Sequence, residues 1–226
     1  MDERSSDRAN SLYQRNLDTA VRPEQFSLLG EEWELLDGVF SPSFTPVTGL
    51  FTSWLPYPVG GSFLEVGSGA GVTAVTAARA GCAAVTASDI SAAAVENTRR
   101  NAARHGVADR VRVLQSDLFD ALGPDERFDL IFWNSNFVEM GADFVNSTDL
   151  HHAFFDPGYQ AHERYLREGP DRLTEQGRLL LGFANLGNMA KLNALCADLG
   201  LTVEVLRTER RDLEIQIEFQ LLELRR

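Results

Sequence analysis

Four polar residues stand at the ends of apolar runs, where a folded sheet would gather them: Glu65, Asp89, Asp117 and Asn134. Around the first lies the most informative stretch. Phe63, Leu64 and Val66 form a short apolar run, Gly67, Gly69 and Gly71 follow, and an Ala/Val-rich run of helical character reaches residue 80 before Gly81. A second apolar run begins at Ala84 and stops at Asp89, 22 residues after Gly67. This is strand, glycine turn, helix, strand, acid: a βαβ unit with a nucleotide-binding turn. Glycine permits positive φ and close approach of a ligand to the backbone. The next helix offers unpaired N–H groups and the positive end of its dipole. A carboxylate at Asp89 can accept from both hydroxyls of a ribose, and Ile90 beside it can pack on a flat base.

The spelling of the turn narrows the ligand. Glu65-Val66-Gly67-Ser68-Gly69-Ala70-Gly71 reads E-x-G-x-G-x-G. An acid just before the glycines repels a pyrophosphate and suits a cationic amino-acid tail. The stretch resembles the first motif of class I S-adenosylmethionine (SAM) methyltransferases. That resemblance implies SAM as cofactor, with Glu65 and Gly67 at its methionine end, Gly69 and Gly71 in the turn, and Asp89 on the ribose. It also implies Asp117 accepting from the adenine amine, with Leu118 and its backbone against the ring.

The run Phe128-Asp129-Leu130-Ile131-Phe132-Trp133-Asn134 resembles the approach to the N-P-P-Y/F motif of methyltransferases that act on planar nitrogens. In that family the Asn side chain and a backbone carbonyl hold the target NH₂ while the aromatic ring stacks on its plane. Here the motif is Asn134-Ser135-Asn136-Phe137: Asn134 and Phe137 match, and both prolines are replaced. Residues 95–102 also look like the second helix of protein-glutamine methyltransferases, although this leader is shorter than their N-terminal domain. The candidate catalytic set is Asn134 and Phe137, with Tyr159 and Tyr165 as aromatic faces for a cation. His151, His152 and Asp156 make no convincing metal set, because adjacent histidines rarely point the same way. The expected activity is methyl transfer to a nitrogen of a small molecule of natural-product type. Two alternatives use the same fold: a SAM-cyclising enzyme releasing methylthioadenosine, similar to azetidine-2-carboxylate synthases, and a SAM-binding protein without catalysis.

The elements that must position these residues follow from periodicity. Helices are expected over residues 5–21, 48–55, 72–80, 92–105, 160–174 and 188–199, the fourth with Ser91 as N-cap. Strands are expected over 32–36, 63–66, 84–89, 111–115, 128–133, 178–183, 201–206 and 213–221, the last alternating with period two. Residues 39–46 read as a turn-rich linker with exposed aromatics, and 138–158 as a loop-like insertion. Alternating strands and helices imply an α/β, Rossmann-like, mainly parallel sheet with an antiparallel C-terminal strand. Residues 1–58 form a short N-terminal helical lid, and 59–226 the SAM-binding catalytic domain.

The chain has 226 residues and a formal net charge of −12. That charge disfavours a nucleic-acid partner, and Arg99, Arg100 and Arg104 read as a solvated helix face. No run is long enough to span a membrane. The polar start is no signal peptide, and Cys82 and Cys196 read as core residues. A cytoplasmic protein is expected, with a homodimer left open.

Overall fold

The structure, a computed structural model, describes the backbone of residues 3–213 and 215–226, and side chains from Asp7 onward. The chain opens with α1 (Glu3–Leu17), a hairpin of β1 (Gln25–Leu28) and β2 (Glu31–Glu34), a 3₁₀ turn at Pro42–Phe44, and α2 (Val47–Trp54). The central run is β3 (Ser62–Val66), α3 (Val72–Arg79), β4 (Ala84–Asp89), α4 (Ala92–Arg104), β5 (Val111–Gln115) and β6 (Phe128–Asn134). Then come β7 (Val138–Met140), a 3₁₀ turn at Asp149–Ala153, β8 (Phe155–Pro157), α5 (Gln160–Glu168) and a 3₁₀ turn at Gly169–Arg172. The chain closes with β9 (Leu173–Ala184), α6 (Met189–Asp198), β10 (Thr202–Asp212) and β11 (Gln216–Arg225).

Among the described residues, the main sheet runs β10-β11-β9-β6-β3-β4-β5. Its strands are parallel except β11, which is antiparallel to both β9 and β10. This is the α/β, Rossmann-like arrangement expected. The chain leaves β3 toward β4 and β5, then returns to β6 on the other side, so the crevice for a ligand opens above the β3–β6 boundary. Consecutive residues of β6, Leu130 to Trp133, are all buried. Neither face of the strand meets water, as in a parallel sheet covered on both sides.

Several elements depart from expectation. Helix α1 stops at Leu17, four residues early, where the Asp18 carboxylate accepts from the Ala20 N–H at 2.9 Å and closes a turn. The β1–β2 hairpin was half missed: its turn, Leu29-Gly30 at φ 56° and 78°, lacks the usual Asn-Gly spelling. The last hairpin turns after Asp212 rather than between 208 and 212. The charges of Glu209–Asp212 read as a link, yet they belong to an exposed edge strand, where charge discourages pairing with other chains. Residues 39–46 are less exposed than expected, with Val39 and Ser41 buried. The 138–158 stretch is ordered by the parallel β7–β8 pair, whose three-residue strands are too short to show periodicity.

The leader is locked to the sheet by buried amides. Asn97 on α4 accepts from the Leu36 N–H and donates to the Glu34 carbonyl. Asn101, one turn on, accepts from the Glu34 N–H and donates to the carbonyls of Glu34 and Ala70. Ala70 lies inside the glycine turn, so the same side chain fixes both leader and turn. Phe51 of α2 is fully buried against Phe132 and Phe219, so α2 shares the core of the sheet. Helix α1 instead packs Ala9 and Tyr13 on Val138, Leu150, Phe154 and Phe155.

Candidate active site

One cleft of about 250 Å³ opens over the carboxyl ends of the parallel strands. It is lined by the glycine turn, by Asp89, Ile90, Asp117 and Leu118, and by Trp133 to Val138. Leu12 and Arg15 of α1, with Asp149, Leu150 and His152 of the insertion, complete it from above. The Tyr13 and Thr148 hydroxyls meet at 3.3 Å, and the Tyr13 ring packs at a tilt on His151, so the two covering segments form one unit.

The turn needs its glycines. Gly67, Gly69 and Gly71 all have positive φ, from 53° to 81°. A Cβ on Gly71 would lie 2.9 Å from the Thr98 Cα, a backbone contact that cannot relax cheaply. Beside Gly69 the space is open, while its N–H donates to Asp89 Oδ2 at 2.9 Å. The Ser91 N–H donates to Asp89 Oδ1 at the same distance. A carboxylate has about four acceptor positions, so each oxygen retains capacity for a ligand. Burial raises the Asp89 pKa, and the two N–H groups oppose the shift.

Glu65 has a different setting from the acid at the methionine end that its position suggested. Helix α3 starts at Gly71 with no capping side chain. Buried Glu65 supplies the cap: Oε2 accepts from the Ala74 N–H at 2.8 Å, and Thr73 adds a side-chain bond. Burial pushes its pKa up to about 8 despite those bonds, and the Asp89 charge adds to the rise. The folded state therefore holds a proton that the unfolded chain releases near the ordinary carboxyl pKa of about 4.3. The stability contributed by this proton is present below that pH and is lost as pH rises to about 8. Glu65→Gln is expected to flatten the decline in stability between about pH 4.5 and 8, as read by urea unfolding at pH 5, 7 and 9.

At the other acids the picture is mixed. Asp117 reaches the rim of the cleft, where Arg164 of α5 donates to its carboxylate at 2.9 Å, and Leu118 takes φ 49°. Ile90 lines the cleft half-buried. Asn134, the last residue of β6, faces the same space. The two lost prolines have physical substitutes. Ser135 Oγ donates to the Gly182 carbonyl at 2.8 Å. Asn136 donates to the carbonyls of His152 and Phe155, both at 2.9 Å, stapling the motif to the covering segment. Phe137 lines the cleft and packs on Phe183.

Tyr159 and Tyr165 correct the sequence reading: both are fully buried and neither lines the cleft. Tyr159 donates to the Phe137 carbonyl at 2.5 Å and accepts from the Asn188 N–H at 2.8 Å. Tyr165 donates to the Leu180 carbonyl, its ring against Phe119 and Trp133. Gly158 and Tyr159 are both left-handed, which turns the Tyr159 ring inward in a way residue type does not announce. His162 and Asp156 form a buried pair at 2.6 Å under Trp133, with Asp156 also capping α5. His151 and His152 engage Ser147 and Asn146 separately. Sequence reasoning passed over Trp133, whose indole would lie 3.3 Å from a Cβ on Gly67, and, although it expected a lid, over which residues of α1 face the cleft. The i, i+4, i+7 spacing of Arg8, Leu12 and Arg15 was the available signal for that face.

Residues 63–158 match the family model of a methyltransferase domain. A release factor glutamine methyltransferase of Rhodopirellula baltica is 33% identical over 128 residues, covering 52% of this chain and 43% of that protein. A ribosomal protein uL3 glutamine methyltransferase of Bradyrhizobium diazoefficiens is 32% identical over 179 residues, covering 76% and 54%. The chain thus spans about half the length of these curated relatives. Among solved structures, a Thermus thermophilus 16S rRNA N2 G1207 methyltransferase, in complex with AdoMet and guanosine, superposes with TM-score 0.62. It is 21% identical over 89% of this chain and 49% of that one. The ribosomal protein L11 methylase of Lactobacillus delbrueckii subsp. bulgaricus gives TM-score 0.57 at 17% identity, over 91% and 82%.

Proposed function

From a chain that carries a class I SAM-dependent methyltransferase domain related to the protein-glutamine methyltransferases, we propose methyl transfer from SAM to a nitrogen of a small-molecule acceptor. The observation that carries this reading is that the glycine turn, Asp89 and Asn134 open into one cleft at the switch point of the sheet. Asp89 accepts from the ribose hydroxyls, Ile90 and Leu118 flank the adenine, and Asp117 accepts from its amine. Gly67, Gly69 and Gly71 let the cofactor approach the backbone. Glu65, whose carboxyl caps α3 at the Ala74 N–H, braces the turn at the methionine end of the cofactor. Asn134 and Phe137 align the acceptor nitrogen with the methyl group, and positioning supplies most of the rate effect.

A small acceptor is favoured over a macromolecule by three features. Helix α1 and residues 149–154 cover the cleft, so residues 1–58 act in part as a lid. The net charge is −12. On α4, Arg100 is paired with Glu96 and Glu34, and Arg99 donates to the Val113 carbonyl, so this face is not a set of free phosphate-binding cations. The relatives named for glutamine acceptors support nitrogen as the nucleophile. Among the described residues no helix is long and apolar enough to cross a membrane, and a cytoplasmic natural-product enzyme fits this reading.

The SAM-cyclising alternative needs aromatic faces for the sulfonium, and Tyr159 and Tyr165, two of those offered for it, lie outside the cleft. Incubation with SAM alone, followed by product analysis, tests the choice. Methyl transfer to an external acceptor requires that SAM persist until an acceptor is added, whereupon S-adenosylhomocysteine forms. Accumulation of methylthioadenosine without an acceptor would overturn it.

A further inference from the structure

The cleft has two chemically different halves. Strands β3, β4 and β5 end under one half, with Glu65, Asp89 and Asp117 and the glycine turn. Strands β6 and β9 end, and antiparallel β11 begins, under the other. The wall there is Phe137 after β6, Leu186 after β9, Leu213 at the hairpin turn, Ile217 and Phe219 of β11, and Phe44 from the leader. None of these six carries a charge or a polar side chain. The polar groups beside them are all uncharged: the Asn134 and Asn136 amides and the Ser135, Thr45 and Thr48 hydroxyls. Leu213 is 42% exposed, directly after the charged run Glu209–Asp212, which places an apolar side chain at the mouth of this half.

Building on the methyl-transfer reading, we propose that this half is the acceptor subsite and that it takes a flat, uncharged amide or amine with an apolar or aromatic body. A charged body would lose its water against Phe137, Leu186, Ile217 and Phe219 without gaining a partner. A flat apolar one is rewarded by the same walls, and its NH₂ reaches the Asn134 amide, while the NH₂ of neighbouring Asn136 is already spent on two backbone carbonyls. The cations of the cleft, Arg8 and Arg15, belong to the covering helix. The Arg15 guanidinium lies 4.5 Å from the centre of the Phe44 ring, at the edge of this half, so an anionic acceptor is the rival to be tested.

The test uses the intact chain saturated with S-adenosylhomocysteine, titrated with three amides and followed by ligand-observed NMR. The probes are benzamide, 4-carboxybenzamide and N-acetylglutamine amide. Benzamide is expected to bind at least about tenfold more tightly than either other probe. Leu213→Asp, a substitution at a half-exposed site that the fold tolerates, is expected to weaken benzamide at least about tenfold. It should leave S-adenosylhomocysteine affinity within about twofold. Equal or tighter binding of the carboxylated probe or the glutamine amide would overturn the proposal, as would benzamide binding indifferent to Leu213→Asp. Those failures leave the cofactor reading standing, whereas failure of S-adenosylhomocysteine to bind would overturn both.

Discussion

Asn134→Ala lowers turnover by about 10²-fold or more while SAM affinity stays within a few fold. The magnitude is that of a lost positioning interaction: a nitrogen no longer held in line with the methyl group samples many unproductive orientations. The split between turnover and affinity follows from where the interaction acts. Asn134 ends β6 at the boundary between the glycine-turn half and the apolar half of the cleft, the place from which the proposed reaction has its amide serve the reacting group. Losing an interaction made only as the nitrogen is aligned lowers kcat and kcat/KM together. The measurement is label transfer from methyl-labelled SAM to an accepted amide, beside calorimetric SAM affinity for both forms. Full turnover in the variant would move the chemistry away from β6.

Asp89→Ala weakens SAM by roughly 1.5–3 kcal/mol, the range for hydrogen bonds to a charged group, about 10- to 150-fold in affinity. Two effects combine. The ribose loses its acceptor, and the turn loses a brace, because Asp89 ties the Gly69 N–H to the Ser91 N–H across the cleft floor. Asp89→Asn separates them: one amide oxygen still accepts a backbone N–H, but the paired acceptor is gone, so an intermediate loss is expected. Unchanged affinity in Asp89→Ala, with the fold intact by circular dichroism, would remove the ribose assignment.

The placement of the glycine turn, Asp89 and Asp117 around one cleft was legible because most of it is local. Three glycines, a helix and an acid lie within one βαβ unit, so spacing alone places them. Asn134 was legible because β6 is a continuous apolar run whose end is unmistakable. What escaped notice is long-range. Glu65 reads as an acid facing a ligand, yet its carboxyl caps α3, since Gly71 brings no side chain to that end. Tyr159 and Tyr165 read as pocket aromatics, yet their hydroxyls satisfy the buried carbonyls of Phe137 and Leu180. Nothing in a short window reports which carbonyl, twenty residues away, will lack a partner. The cover over the site is of the same kind: Tyr13 meets Thr148 across 135 residues, and neither segment announces the other.

The role given to Asn136 illustrates how a departure from a motif can be read only in three dimensions. By sequence it stands where the motif has a proline. In the fold its amide bonds two carbonyls of the covering segment, so rigidity comes from a cross-link rather than from a ring.

The central claim is that the cleft above β3, β4 and β6 holds SAM, and a calorimetric titration of S-adenosylhomocysteine into the intact chain tests it most directly. The account predicts one molecule bound per chain, with affinity lost by about 10- to 150-fold in Asp89→Ala. A folded chain that binds no S-adenosylhomocysteine at millimolar concentration would contradict it.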